Sequence, residues 1–202
     1  MIKPEKKTTF ELYNDENFQG YTKSLPKDID QHINITCLEV GYNEITILPE
    51  SIGKLVKLEE IYINNNKITE LPKSLGLLKK LEILTISNNP IHMIPDELSN
   101  CTSLEELYAS NCELVSIPKE IGNLRKLRIL SLEGNLITSL PESVSQLKNL
   151  SRLELGNNKL KELPTCFSKL TNLKSLDLSG NLICEIDLNK LKESLPNCNV
   201  KI

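Results

Sequence analysis

The sequence predicts an α/β solenoid, a stack of short parallel strands on one side and short helical turns on the other. Three observations predict it. Asn43, Asn66, Asn89, Cys112, Asn135, Asn158 and Asn181 follow one another at intervals of 23 residues. Around each, aliphatic residues fall eight, five and three positions before and two positions after, Ala109 being the one small exception. A Leu-Pro or Ile-Pro pair recurs at Leu25-Pro26, Leu48-Pro49, Leu71-Pro72, Ile94-Pro95, Ile117-Pro118, Leu140-Pro141 and Leu163-Pro164. Self-similarity at one fixed period marks a repeat architecture, in which each unit buries its apolar face only against its neighbours.

Residues 58–80 show how a unit is built. Ile61 and Ile63 point inward and Glu60 and Tyr62 outward, a period of two that predicts a short strand. The chain then turns at Asn64-Asn65-Asn66. An asparagine side chain carries both an amide and a carbonyl, so the ladder asparagine is expected to bond the loop backbone of its own and the next unit, leaving no buried polar group orphaned. Ile68 returns to the core. Proline fixes φ and has no N–H, which suits the start of a helical turn and not its middle. Apolar pairs three apart follow it: Ile52/Leu55, Leu75/Leu78, Leu98/Cys101, Ile121/Leu124, Val144/Leu147 and Phe167/Leu170. That spacing predicts a short 3₁₀ or α turn on the convex side. With strands ~4.8 Å apart, the concave face is about 30 Å long.

The ends must close the stack, because an open solenoid exposes its core and a strand edge. Residues 1–34 are expected to form an N-terminal cap: a strand over 8–13, a turn at 14–17 and a degenerate half-repeat from Tyr21. Seven repeats occupy 35–185. Residues 186–202 are expected to form the C-terminal cap, with Leu188, Leu191 and Leu195 on one helical face and an edge strand over 196–202.

The phrase LxxLxLxxNxL, completed by xxLPxxIxxLxxL, recurs seven times without an indel from Ile35 to about Ile186. It resembles the leucine-rich repeat family, most of all its 23-residue Leu-Pro subclass, found in intracellular Ras-group-related scaffolds, similar plant proteins and many bacterial proteins, some delivered to hosts. The resemblance implies a curved horseshoe that binds proteins, and it does not imply an enzyme. Pro196-Asn197-Cys198 resembles the ending of many such proteins, which implies a natural C-terminus. Two departures stand in one unit. Cys112 replaces the ladder asparagine with a weak donor, and Ala109 replaces an inward aliphatic residue, so the fourth unit is expected to pack least well.

Composition narrows the function further. A net charge of -3 lacks the basic footprint of a nucleic-acid module. No apolar run reaches the ~18 residues of a membrane helix, and residues 1–9 lack the apolar stretch of a secretion signal. The expected location is the cytoplasm, with export by a route without a visible signal, or a removed signal, left open. Cys37, Cys101, Cys112, Cys166, Cys184 and Cys198 form no CxxC pair, and reduced packing thiols are expected, a Cys184–Cys198 disulfide being the alternative. His32 and His92 fall at unrelated repeat positions. No phosphate-loop, nucleophile-elbow or zinc-protease motif occurs, so no catalytic residue, cofactor or metal is expected.

Recognition is then left to the outward strand positions. One row reads Cys37, Glu60, Ile83, Glu106, Ile129, Arg152, Ser175; the other reads Glu39, Tyr62, Thr85, Tyr108, Ser131, Glu154, Asp177. Tyr62, Tyr108, Ile83 and Ile129 form the candidate patch, rimmed by Glu39, Glu60, Glu106 and Glu154, with Thr85, Ser131 and Arg152 among them. Exposed tyrosine and aliphatic residues on a rigid sheet are common interface anchors, although the same residues are good strand formers. An acidic rim suits a protein partner with a basic surface and mainly speeds association. The expected molecule is a monomeric interaction module; a targeting module of a larger enzyme or effector system and a self-associating structural protein are the alternatives. Caps at both ends, with no residues left over for a catalytic domain, speak against the targeting module. Glu59, Glu82 and Glu105 are expected to interdigitate with Lys57, Lys80 and Lys126 as surface ion pairs of small value.

Overall fold

The computed structural model describes residues 7–11 and 22–202; the turn expected at 14–17 and the start of the half-repeat at Tyr21 lie outside them. Nine three-residue strands form one parallel sheet in chain order: β1 (Thr9–Glu11), β2 (Cys37–Glu39), β3 (Glu60–Tyr62), β4 (Ile83–Thr85), β5 (Glu106–Tyr108), β6 (Ile129–Ser131), β7 (Arg152–Glu154), β8 (Ser175–Asp177) and β9 (Asn199–Lys201). The central residue of each inner strand, from Leu38 to Leu176, is buried. The apolar residues flanking each strand meet in one continuous core.

The register pairs Cys37 with Glu60, Glu60 with Ile83, and so on along the sheet. Equivalent residues of adjacent units are therefore lateral neighbours, and surface polar contacts follow that spacing. Lys67 Nζ meets Glu44 at 2.7 Å, Arg128 meets Glu105 at 3.1 Å, and Lys57 Nζ donates to Asn34 Oδ1 at 2.7 Å. This corrects the expected glutamate–lysine comb: among the described residues Lys57 serves Asn34, and Glu105 is taken by Arg128. The lysine row is offset by two residues from the glutamates, whereas the register favours partners at equivalent positions.

The convex side carries the expected 3₁₀ turns: Glu50–Lys54, Lys73–Leu77, Asp96–Asn100, Ile121–Asn123, Glu142–Gln146 and Phe167–Lys169. Pro49, Pro72, Pro95 and Pro141 immediately precede the five-residue turns. Turn length follows a residue that the repeat phrase leaves open. Gly53, Gly76 and Gly122 each precede a unit with a five-residue turn, and Ser99 and Ser145 at the same position precede the three-residue turns. In the longer turns a backbone carbonyl fills the space of a Cβ: Ser74 O would lie 2.8 Å from one on Gly53, Glu97 O 2.4 Å from one on Gly76, and Ser143 O 2.3 Å from one on Gly122. Where serine stands, the equivalent Glu120 and Cys166 adopt φ -97°, ψ 22° and φ -95°, ψ 15°, outside the 3₁₀ run.

At the C-terminus α1 (Glu185–Ser194) starts ahead of Leu188, the first leucine of the expected helical face. Without a Leu-Pro pair to set a 3₁₀ turn, the chain goes directly from the extended Cys184 into α-helix, with Glu185 and Asp187 in the first turn complementing the helix dipole. Leu191 and Leu195 are buried and Leu188 is half-buried, as their spacing predicts, whereas Ile186 is 67% exposed and does not continue the inward aliphatic row.

Candidate partner-binding face

The ladder residues hold the loops beyond the strands. Asn66 Nδ2 donates to Val40 O at 2.9 Å and Ile63 O at 3.1 Å, while its Oδ1 accepts from Ile45 N at 2.9 Å. Asn89, Asn135, Asn158 and Asn181 repeat this arrangement. The ladder thus ties each unit to the preceding one, a correction to the expected bond to the next. The N–H groups of Val40 and Tyr42 already donate to Tyr62 O and Asn64 O. Ile45 N–H is left open, Val40 O accepts only from Asn43 Nδ2 at 3.2 Å, and the asparagine of the following unit reaches both.

At Cys112 the pattern weakens. Its Sγ lies 3.5 Å from Ile86 O and 3.7 Å from Ser110 O, and Ile91 N–H turns to Asn89 O at 2.8 Å. Cys112→Asn is expected to leave stability unchanged or raise it by about 1 kcal/mol, the worth of one added hydrogen bond. A lowered melting temperature would show that the thiol fits its site better than an amide.

The residue before each ladder position has positive φ: Tyr42, Asn65, Asn88, Asn111, Gly134, Asn157 and Gly180. Sequence reasoning missed this row, although the recurring Asn-Asn and Gly-Asn pairs signal it, since asparagine and glycine are the residues that tolerate left-handed backbone.

On the sheet, Glu39, Glu60, Tyr62, Ile83, Thr85, Glu106, Tyr108, Ile129 and Glu154 are partly exposed, and Arg152 is exposed. Consecutive strands β3 to β6 bring Tyr62, Ile83, Tyr108 and Ile129 into one patch. Tyr108 donates its hydroxyl to Glu106 Oε2 at 2.8 Å. Burial, and then the neighbouring Glu60 or Glu106, pushes the Tyr62 and Tyr108 phenols up to about 12, so both remain neutral donors.

Two outward positions are closed. Ser131 is buried: its hydroxyl lies 2.8 Å from Ser110 Oγ and donates to Glu154 Oε2 at 2.5 Å, so this short side chain is spent on internal bonds. Cys37 is buried as well, because β1 adds a strand beside it. The acidic rim is also partly neutralised. Lys7 bonds Glu60, Arg152 bonds Glu154, and Lys201 lies 2.7 Å from Asp177. Among the described residues, Glu39 and Glu106 have no cationic partner.

Elsewhere, His92 Nδ1 lies 3.3 Å from Glu113 Oε2 on an exposed flank, a contact that sequence spacing does not reveal, and His32 packs edge-on to Phe10 at 5.0 Å. Among the described residues no group of three or more His, Cys, Asp or Glu could hold a metal ion. The six cysteines are free thiols. An open groove of about 760 Å³ crosses the Leu-Pro segments of four units, between Leu71 and Leu140. It is a corrugation of the repeat itself. No helix of the described residues is long and apolar enough to cross a membrane.

Residues 14–132 match the family model of a leucine-rich repeat region, and 125–183 and 172–198 match models of leucine-rich repeats. No match was found among curated proteins. Among solved structures, the chain is similar to a leucine-rich repeat protein of Leptospira interrogans, with 38% identity and a TM-score of 0.86, over 89% of this chain and 46% of that one. It is similar to the plant peptide hormone receptor RGFR1 in complex with RGF2, with 30% identity and a TM-score of 0.73, over 78% of this chain and 26% of that one. An internalin of Listeria monocytogenes shares the fold at 22% identity and a TM-score of 0.82, over 95% of this chain and 54% of that one. The chain thus spans only part of the length of each.

Proposed function

The chain belongs to the leucine-rich repeat family, and from that premise we propose that it is a non-enzymatic interaction module holding a protein partner on its concave face. The observation that carries this reading is the patch of Tyr62, Ile83, Tyr108 and Ile129 on four consecutive strands. Their side chains are half exposed on backbone fixed by the ladder, so binding orders little of the protein. Glu39, Glu60, Thr85, Glu106, Arg152 and Glu154 surround the patch and set its polarity. The open carboxylates of Glu39 and Glu106 favour a partner with a basic surface. That a similar solenoid is solved in complex with RGF2 supports a binding role.

A photo-crosslinking residue at Ile83, on the concave face, and another at Leu77, exposed on the convex side, test the reading. The expected result is a partner crosslinked from position 83 and not from 77, and captured at least tenfold more weakly by Tyr62→Ala/Tyr108→Ala, since truncating a central anchor costs about 2 kcal/mol. Crosslinks from position 77 alone, or equal capture by the double variant, would overturn it. Light scattering is expected to give a monomer; a dimer lost in the same double variant would point to self-association.

A further inference from the structure

The joints between units are not equal. At most of them the ladder asparagine crosses to the preceding unit with two bonds, as Asn66 does to Val40 O and Ile45 N–H. Between β4 and β5 the crossing residue is Cys112, with one weak contact to Ile86 O at 3.5 Å. Ile91 N–H, which an asparagine there would accept from, bonds instead to Asn89 O of its own unit. The core row thins at the same joint. Ala109 presents only a methyl at the position that Ile86 and Leu132 fill in the adjacent units.

The convex side repeats the contrast. Across the joint between β3 and β4, Lys79 Nζ donates to Asn100 O at 2.8 Å. Across the joint between β5 and β6, Ser143 Oγ donates to Lys119 O at 2.5 Å and Asn149 Nδ2 to Arg125 O at 2.7 Å. Among the described residues no hydrogen bond or ion pair joins the turn Asp96–Asn100 to the turn Ile121–Asn123. Ser99, in the first of these turns, is 3% exposed and its hydroxyl has no partner. The strands themselves stay tied. Glu105 N–H donates to Glu82 O and Ile86 N–H to Tyr108 O, both at 2.8 Å, and Ser110 N–H to Ser87 Oγ at 3.1 Å. Beyond them the loops share Glu113 N–H to Ile91 O at 3.1 Å and Val115 N–H to His92 O at 3.3 Å. The exposed His92–Glu113 pair adds little.

Attachment along the sheet with release on the loop and convex sides is the geometry of a hinge, because motion concentrates where few bonds must open. We propose that the solenoid bends between β4 and β5. The blocks β1–β4 and β5–β9 stay joined along their strands while the loops and convex turns part, which tightens the concave face. Tyr62 and Ile83 lie on one block, and Tyr108 and Ile129 on the other. Each half of the patch is preformed, and the hinge sets the angle between the halves to fit the partner. That use of the hinge rests on the concave-face reading, whereas the hinge itself belongs to the free chain.

Native-state amide exchange of the full chain, without a partner, is the test. Glu113, Leu136 and Lys159 occupy one repeat position and are all exposed. Each donates its N–H to the preceding unit, at 3.1, 2.8 and 2.9 Å respectively. Relative to its unprotected rate, Glu113 N–H is expected to exchange about tenfold faster than the other two. Ile86 N–H, in the sheet, should be as slow as its counterparts Ala109 N–H and Leu132 N–H, which donate to Ser131 O and Glu154 O. Cys112→Asn should slow Glu113 exchange about fivefold, the worth of one hydrogen bond. Asn135→Cys, which makes the same break one joint further on, should bring Leu136 N–H to the rate of Glu113. Equal protection of Glu113, Leu136 and Lys159, or a Leu136 rate unmoved by Asn135→Cys, overturns the hinge. Fast exchange of Ile86 N–H overturns it too, since the whole unit would then be fraying. Any of these results leaves the concave-face reading standing. A partner retained by Tyr62→Ala/Tyr108→Ala overturns that reading and not the hinge.

Discussion

Replacing Asn66 by alanine is expected to destabilise the solenoid by about 2–3 kcal/mol, from one buried N–H left unsatisfied and two carbonyls that each lose one of two donors. The amide bonds three buried groups at once, Ile45 N–H, Val40 O and Ile63 O. Val40 O keeps Asn43 Nδ2 at 3.2 Å and Ile63 O keeps Asn89 Nδ2 at 2.9 Å, whereas Ile45 N–H loses its acceptor inside tightly packed loops. Two of the three belong to the preceding unit, so the loss falls on the contact between units, on which a one-dimensional stack depends. Asn66→Asp should be at least as harmful. A carboxylate can still accept from Ile45 N–H, but it faces two carbonyl oxygens where the amide donated. Urea unfolding measures the total, and amide exchange locates it: Ile45 N–H should exchange faster while Ile137 N–H, held by Asn158 at 3.0 Å, keeps its protection. A loss below about 1 kcal/mol would mean that water replaces the ladder and that its role is not structural.

Gly76→Ala is the second large effect. One added methyl group would sit 2.4 Å from Glu97 O and 2.9 Å from Glu97 Cβ, so two stacked turns must separate. Overpacking of this kind costs about 2–3 kcal/mol, or roughly 6 °C in melting temperature for a chain of this size. Ser99→Gly, at the same repeat position, should cost little, because the turn that follows Ser99 is the short one, Ile121–Asn123. Equal effects at the two positions would show that turn length and the glycine row are unrelated.

Most of the fold was legible in the sequence because a repeat states its instructions many times. The strand centres, the ladder, the proline-led turns and the leucines of the C-terminal helix all follow from spacing, and each inner strand begins and ends where the alternation of aliphatic and polar residues places it. What failed to transfer were statements about neighbours. The ladder binds backward, the lysine comb is not formed, and Ser131 and Cys37 are closed. Each depends on where a side chain goes once an adjacent strand is beside it, and a single unit's pattern carries no such term. The left-handed row was legible in principle, since Asn-Asn and Gly-Asn recur before the turn, and its one misfit at Tyr42 becomes visible only when the φ values are known.

The sequence by itself determined that this chain is a solenoid of leucine-rich repeats, which residues form its core and which two rows face outward. Periodicity alone suffices for this, because burying one apolar face per unit leaves a single way to stack. The tertiary structure decided which outward residues remain available. Lateral contacts between units close Ser131 inside a hydroxyl network, cover Glu60 with Lys7 and Glu154 with Arg152, and leave Glu39, Tyr42, Tyr62, Ile83, Tyr108 and Ile129 open. Accessibility is a property of neighbouring units together, and it first exists when they are stacked.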